Sequence, residues 1–370
     1  MSIRTAGGGS ASGTNAKRSA FSTILLFSAF CPLSFALWCR MARPKVFVAR
    51  KLPAVALDAI RAACDADVWP EQLPPSADEL KRRVADCDGL VSLLTDRVDA
   101  ALLDAAPKLK VVSNFAVGFN NVDVAACTAR GVCVGNTPGV LTDATADIAV
   151  TLLLAAARAI RSGIDDARGG KWLTWEPLGW MGQDLAGRTL GIVGMGRIGY
   201  ATAKRLHHGW GMKVLYTARG PKPDADRDLG ATRVELDELL ARSDFVSVHA
   251  DLNPTTKGLF GADKFGQMKP TAVFVNTSRG PLVDQTALAA ALRDGTIFAA
   301  GLDVTDPEPL PTSHELYALP NCVIVPHIAS ATPDTRNAMA RLCANNLLAG
   351  VKGEALPNWV NPEAGDKRRA

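Results

Sequence analysis

The stretch Thr189-Leu190-Gly191-Ile192-Val193-Gly194-Met195-Gly196-Arg197-Ile198-Gly199 decides the fold. Thr189 to Val193 reads as a strand, and Gly194, Gly196 and Gly199 then form Gly-x-Gly-x-x-Gly before a helical pattern that runs to about Leu206. The first glycine permits a tight turn, the second lets a diphosphate approach the backbone, and the third allows helix to pack on strand. The helix amino terminus would hold the diphosphate through its free N–H groups. A bare glycine pattern is weak, but here strand and helix flank it in the required order and a second strand, Lys213 to Thr217, follows at the right interval. That context specifies a dinucleotide-binding unit.

Outward from this unit the chain alternates short β-branched runs with helical patterns, the signature of an α/β protein built on parallel sheets. Strands are expected at Lys45 to Ala49, Gly89 to Leu94 and Lys110 to Phe115, with helices at Pro53 to Ala66 and Ala77 to Asp86. The segment Asp143 to Ile160 reads as a helix that is apolar around most of its circumference, so it must be buried between two bodies, either domains or subunits. Gly169 to Gly182 carries Trp172, Trp175 and Trp180 among glycines and prolines and reads as an irregular, protruding arm suited to an interface.

The 370 residues are long enough for two domains with real cores. Hydrophobic residues make up 48% and charged residues 21%, which excludes disordered and collagen-like classes. Arg4, Lys17, Arg18 and Arg40 stand in a segment without acids and account for the whole net charge of +4. The body is therefore neutral, which argues against nucleic acid and toward a small-molecule partner. The 8 cysteines show no Cys-x-x-Cys spacing and read as reduced thiols without a metal site. Residues 1–40 form an extension whose apolar run, Ala20 to Cys39, has the character of a signal peptide or anchor. The favoured reading takes Met41 as the natural start and the protein as cytoplasmic, with a membrane anchor or organellar targeting signal as the alternative.

Three later strands end in polar chemistry. Thr271 to Asn276 runs into Thr277, Ser278 and Arg279, Phe298 to Leu302 runs into Asp303, and Cys322 to Pro326 runs into His327. In open parallel sheets ligands lie beyond the carboxyl ends of the strands, so these residues should converge on one crevice. Glu308 sits between two prolines in Asp306-Pro307-Glu308-Pro309, which fix the backbone around it. His249 ends the run Phe245 to Val248 and meets the same positional test as His327, so strand-end logic alone does not choose the acid/base.

Val117 to Asp123 (VGFNNVD), the glycine motif, Asn276 to Asp284 (NTSRGPLVD), Gly301 to Pro311 (GLDVTDPEPLP) and Pro326 to Thr332 (PHIASAT) together resemble the D-isomer-specific 2-hydroxyacid dehydrogenases, nearest the glyoxylate/hydroxypyruvate reductase branch. The resemblance runs from about Lys45 to Asn358. It implies two doubly wound parallel-sheet domains, with a Rossmann-type dinucleotide domain (142–325) inserted into a discontinuous flavodoxin-like substrate domain (41–141 and 326–361). His327 would be the proton donor, Glu308 its partner, and Arg279 the binder of substrate carboxylate and carbonyl. Val117 and Gly118 would hold the carboxylate through their backbone, with Ser330 also at the substrate. Gly194, Gly196, Arg197, Ile198 and Gly199 would lie along the cofactor, with Thr277 and Asp303 toward its nicotinamide end. Trp175 would reach into a neighbouring subunit's site, which implies a homodimer. Dehydrogenation of a larger D-2-hydroxy acid, or a dinucleotide-sensing corepressor role, are the alternatives within this fold.

The strand Lys213 to Thr217 ends without the acid that would accept hydrogen bonds from an unphosphorylated ribose. Neutral Thr217 followed by Arg219 and Lys222 instead favours a 2′-phosphate, so NADPH is expected to be preferred over NADH. Asp251 would oppose this if it lay near the adenosine.

Overall fold

The computed structural model describes residues 43–368. The extension 1–40, with its apolar run, lies outside the described residues. No helix among the described residues is long and apolar enough to cross a membrane.

Two parallel sheets organise the chain. The first contains β1 (Lys45–Val48), β2 (Asp65–Val68), β3 (Gly89–Ser92), β4 (Val111–Asn114) and β5 (Cys133–Gly135) in the order β2-β1-β3-β4-β5. The second contains β6 (Thr189–Val193), β7 (Lys213–Thr217), β8 (Thr232–Arg233), β9 (Phe245–Val248), β10 (Val273–Asn276), β11 (Ala299–Leu302) and β12 (Cys322–Ile324) in the order β12-β11-β10-β9-β6-β7-β8. Its strands β3-like in composition, such as β9 and β10, are buried at every position because helices cover both faces. The chain leaves β6 toward β7 on one side and later returns to pair β9 on the other. That reversal opens a crevice at the strand ends.

The end of the chain returns to the first sheet. The helix Pro333–Val351 packs across β3, β4 and β5 and against the helix Ala54–Ala63. Ser113 Oγ donates to the Cys343 carbonyl at 2.8 Å, and an added Cβ on Gly350 would lie 2.4 Å from Val111 Cβ, so helix and strand touch backbone to side chain. Beyond it, fully buried Asn361 accepts the Val134 N–H at 2.7 Å and donates to the Val132 carbonyl at 3.0 Å. Residues from both ends of the chain thus build one layer.

Several expected boundaries move. The helix expected over Pro53 to Ala66 stops at Ala63, and Asp65–Val68 is an edge strand whose alternation of exposed acids with Ala66 and Val68 runs for only four residues. The helix expected to Ile160 stops at Ala157: Ala159 takes a left-handed φ of 49°, and the Ala157 carbonyl accepts from Gln183 N–H at 2.8 Å as the arm folds back. A second helix, Ile160–Arg168, then begins. Only one face of the apolar helix, including Leu152, Leu153 and Ala156, is buried, against β10 and β11; its other face is partly covered. The helix after the glycines runs past Leu206 to Trp210, where Gly211 caps it with φ 63°. The arm itself, residues 169–182, contains neither strand nor helix, and Trp172 and Trp175 are 65% and 81% exposed.

Candidate active site

At the end of β6, Gly194 adopts φ 99° and its N–H donates to the Thr217 carbonyl at 3.0 Å. A Cβ there would lie 2.7 Å from the backbone of His249 and Ala250, and one on Gly199 would lie 2.4 Å from the Gly194 carbonyl. Gly196 differs: nothing stands within 4 Å of its missing Cβ, and no side chain caps the helix Arg197–Trp210. The turn is therefore closed by glycines where protein packs and open where a diphosphate would meet the helix N–H groups, so the residues fit a dinucleotide. Thr277 supports the same fit, since its hydroxyl is buried and has no hydrogen-bond partner.

A cavity of about 1200 Å³ lies at the strand ends. Arg279, His327, Ser330, Val117 and Gly118 all line it, together with Ile198, Thr277 and Asp251. Arg279 follows β10 on a loop that Asn276 organises: its Nδ2 donates to the Arg279 carbonyl at 2.9 Å and its Oδ1 accepts from Ser278 N–H at 3.0 Å. The guanidinium is held by Asn120 Oδ1 (3.0 Å) and the Ser278 carbonyl (2.7 Å). The Asn120 contact joins the two sheets' loops across the cavity. Asn136 and Asn114 donate to the carbonyls of Val117 and Gly118 (2.8 and 2.9 Å), while the N–H groups of those two residues have no partner among the described residues. Two free N–H groups beside a half-buried guanidinium have the chemistry to hold a carboxylate.

His327 Nδ1 donates to Glu308 Oε2 at 2.9 Å. The other Glu308 oxygen accepts from Thr305 N–H at 3.0 Å. Burial pushes Glu308 up, but the His327 hydrogen bond and charge, the Thr305 N–H and the Arg279 charge together hold it below the usual carboxylate range. It therefore stays ionised and stabilises a histidinium. Asp303 fixes the histidine from behind: its carboxylate accepts from Ile328 N–H (2.7 Å) and Ala329 N–H (3.1 Å), and its carbonyl accepts from His327 N–H (2.9 Å).

The geometry separates the two candidate histidines. His249 also lines the cavity, yet its one side-chain partner is Ser247 Oγ at 2.9 Å, and burial drives it down to about 3. It is uncharged near neutral pH and has no proton to give as an acid of the histidinium kind. His207, on the helix after the glycines, hydrogen-bonds the Met212 carbonyl at 2.8 Å, and His314 caps the Leu316 N–H.

Trp175 does not line this cavity. Thr217, Arg219 and Lys222 are also outside it, at the end of β7, where the side chains of Arg219 and Lys222 have no hydrogen bond or ion pair among the described residues. Arg197 is exposed, at the mouth of the glycine turn. Asp251 lines the cavity and its charge acts on Arg279. Two residues were missed in the sequence. Asn120 lay inside a quoted motif, and its type, next to a cationic site, was the available signal. Arg336 lines the cavity from the helix Pro333–Val351 and has no side-chain partner; burial lowers its pKa, opposed by the Asp303 charge. Nothing in the local sequence distinguishes it from a surface arginine.

The family model for the D-isomer specific 2-hydroxyacid dehydrogenase NAD-binding domain matches residues 150–329. A glyoxylate reductase of Korarchaeum cryptofilum is 48% identical over 322 residues, covering 87% of this chain and 97% of that protein. The human glyoxylate reductase/hydroxypyruvate reductase is 49% identical over 317 residues, covering 85% and 97%. This chain belongs to the D-isomer-specific 2-hydroxyacid dehydrogenases. Among solved structures, an NADPH-dependent glyoxylate/hydroxypyruvate reductase from Sinorhizobium meliloti, in complex with NADP and malonate, aligns with a TM-score of 0.77 at 34% identity, covering 89% of this chain and 100% of that one. As a member of this dehydrogenase family the protein is an oxidoreductase that uses a nicotinamide dinucleotide.

Gly118 tests how tightly the carboxylate site is built. Its missing Cβ would lie 1.9 Å from an Arg279 terminal nitrogen, so Gly118→Ala must displace the guanidinium. The Michaelis constant for the 2-oxo acid is expected to rise by about tenfold or more with a little-changed melting temperature. Unchanged kinetics would show that the guanidinium can shift without loss.

Proposed function

We propose that the protein reduces glyoxylate and hydroxypyruvate to the corresponding 2-hydroxy acids, with NADPH as the preferred cofactor. The observation that carries this reading is the convergence, in one cavity, of His327, backed by its Glu308 partner, with Arg279 and the free N–H groups of Val117 and Gly118. That set matches a small 2-oxo acid: a planar carboxylate, a carbonyl to polarise and an oxygen to protonate. The names of the most similar relatives support the same substrates and lend nothing to a larger hydroxy acid or a corepressor role.

Arg279 grips the carboxylate and polarises the adjacent carbonyl, a task for which its planar fork is suited and a lysine is not. The backbone of Val117 and Gly118 fixes the other side of the carboxylate. His327 delivers the proton to the carbonyl oxygen from Nε2 while Nδ1 remains on Glu308, and Glu308 stabilises the charged ring before transfer. The nicotinamide, when bound, supplies the hydride. Ser330 and Trp175 belong to the substrate in this reading, Trp175 from the neighbouring subunit. Gly194, Gly196, Arg197, Ile198, Gly199, Thr277 and Asp303 belong to the cofactor's diphosphate and nicotinamide ends. In the same reading the substrate domain comprises 41–141 and 326–361, and the dinucleotide domain 142–325. The six cysteines described are free and buried, which supports a reducing, cytoplasmic setting.

Three measurements test this. His327→Ala is expected to lower kcat by about 100- to 10,000-fold, or about 2.7 to 5.5 kcal/mol of transition-state stabilisation, with cofactor affinity retained. His249→Ala should be much milder, and the opposite ranking would overturn the assignment. Initial rates with both cofactors should give NADPH at least about tenfold higher catalytic efficiency, with Arg219→Ala removing most of the gap. Equal efficiencies would end that reading. The exposed apolar run of Trp172, Leu173, Trp175, Leu178 and Met181 supports a homodimer, so light scattering should give twice the chain mass and Leu178→Asp should shift it toward monomer.

A further inference from the structure

The loop that carries Arg219 and Lys222 is fastened from beneath by a residue the proposed chemistry does not use. Tyr216, in β7, is fully buried, yet its hydroxyl has two partners. The Lys222 N–H donates to Tyr216 Oη at 2.9 Å, and Tyr216 Oη donates to Asp226 Oδ1 at 3.0 Å. The chain therefore leaves the strand at Thr217 and is tied back to the preceding residue at Lys222. Within the loop, the Thr217 carbonyl accepts from Gly194 N–H at 3.0 Å and the Ala218 carbonyl accepts from Arg233 Nε at 3.1 Å.

These contacts hold the backbone while leaving the two loop cations unpaired. The acids that follow are all engaged: Asp224 and Asp228 pair with Arg227, Asp228 also accepts from Tyr200 Oη at 2.7 Å, and Asp226 accepts from Tyr216. A phenylalanine would fill the same volume. The hydroxyl is thus in excess of what packing β7 requires, and its cost on burial is met only by the two loop contacts.

We propose that Tyr216 is a positioning residue for cofactor choice: its hydroxyl, oriented by Asp226, sets the course of residues 217–222 so that Arg219 and Lys222 are presented together to a ribose 2′-phosphate. This rests on the NADPH reading above. An unphosphorylated ribose offers those cations no anion, so fixing the loop matters little to NADH. Recognition of the doubly charged phosphate by two cations on one short loop depends on where that loop stands.

The test is steady-state kinetics of Tyr216→Phe with both cofactors and a saturating 2-oxo acid. The Michaelis constant for NADPH should rise by about fivefold, of the order of one hydrogen bond, while that for NADH and both kcat values stay within about twofold. Asp226→Ala, at an exposed position that leaves the core intact, should move the NADPH constant the same way by a smaller factor. Asp226→Asn, which keeps an acceptor for the hydroxyl, should leave it unchanged. Since both Asp226 variants remove the charge, their difference isolates the hydrogen bond. Equal weakening of both cofactors in Tyr216→Phe, or indistinguishable Asp226 variants, would overturn the proposal as a merely structural effect. If the wild-type protein prefers NADPH and Arg219→Ala abolishes the preference while Tyr216→Phe does not, this inference alone fails. If the wild-type protein shows no preference, the cofactor reading fails and takes this inference with it.

Discussion

The His327 side of the cavity depends on the Asp303 carboxylate. His327 sits at φ 52°, a left-handed conformation that costs a non-glycine residue about 1 to 2 kcal/mol. Asp303 meets that cost. Its two oxygens take the N–H groups of the next two residues, each a charge-assisted bond of about 1.5 to 3 kcal/mol, and its carbonyl takes the His327 N–H. The turn after β12 is thereby bent so that the ring reaches Glu308 and the cavity at once. Asp303 is itself almost fully buried at the end of β11, and burial raises its pKa, so its charge is sustained by these N–H groups and by His327. Neighbouring strands in one sheet thus supply the histidine and the group that aims it.

Arg279 is positioned by a parallel device one strand away. Asn276 closes the loop after β10, and Gly280 lets that loop press on the Thr305 carbonyl, where an added Cβ would come within 1.9 Å. Because Thr305 also donates to Glu308, the arginine loop and the glutamate loop are one packed unit. The electrostatics follow from this packing. Burial lowers the pKa of both Arg279 and Arg336, opposed by acids at a distance, and among the described residues no carboxylate makes an ion pair with either. The cavity thus carries two incompletely compensated cations, which suits an anionic substrate even though the residues after 40 balance in charge.

The fold was legible because the glycine turn and its flanking strands obey strict local geometry. Gly194 needs its positive φ, and Gly199 cannot carry a Cβ, so the motif is written in residue types. Arg279 and His327 stood out for a related reason, since strand ends in a parallel sheet converge, whereas Glu308, six residues past β11, stood out by its flanking prolines and by the resemblance. Position could not separate His327 from His249, because both end strands beside the same cavity. What separates them is the partner each ring finds: His327 meets Glu308 on another loop, a tertiary fact, whereas the one side-chain partner of His249 is Ser247, two residues back along its own chain. β2 was hidden because its alternation spans only four residues and its inward side chains, Ala66 and Val68, are few and small, and the break at Ala159 because the Gln183 N–H that takes the Ala157 carbonyl comes from the returning arm.

Arg336 was illegible on different grounds. It stands in the second turn of a helix whose burial pattern is set by the first sheet, 57 residues after Arg279 in sequence, and its exposure to the cavity arises from where the chain's last long helix crosses β4 and β5. The return of that helix to the first sheet is what brings Arg336 and Met339 to the cavity wall. The close fit of Gly350 on Val111 and of Asn361 on β5 therefore has a functional consequence: packing far from the strand ends fixes the distance between two layers whose loops must meet at one small anion. The Asn120 contact to Arg279 is the direct expression of that fit, since its two partners lie 159 residues apart and on different sheets' loops. Any change that loosens the returning helix should thus be felt first at the carboxylate site and only later in the dinucleotide turn, which is built within a single sheet.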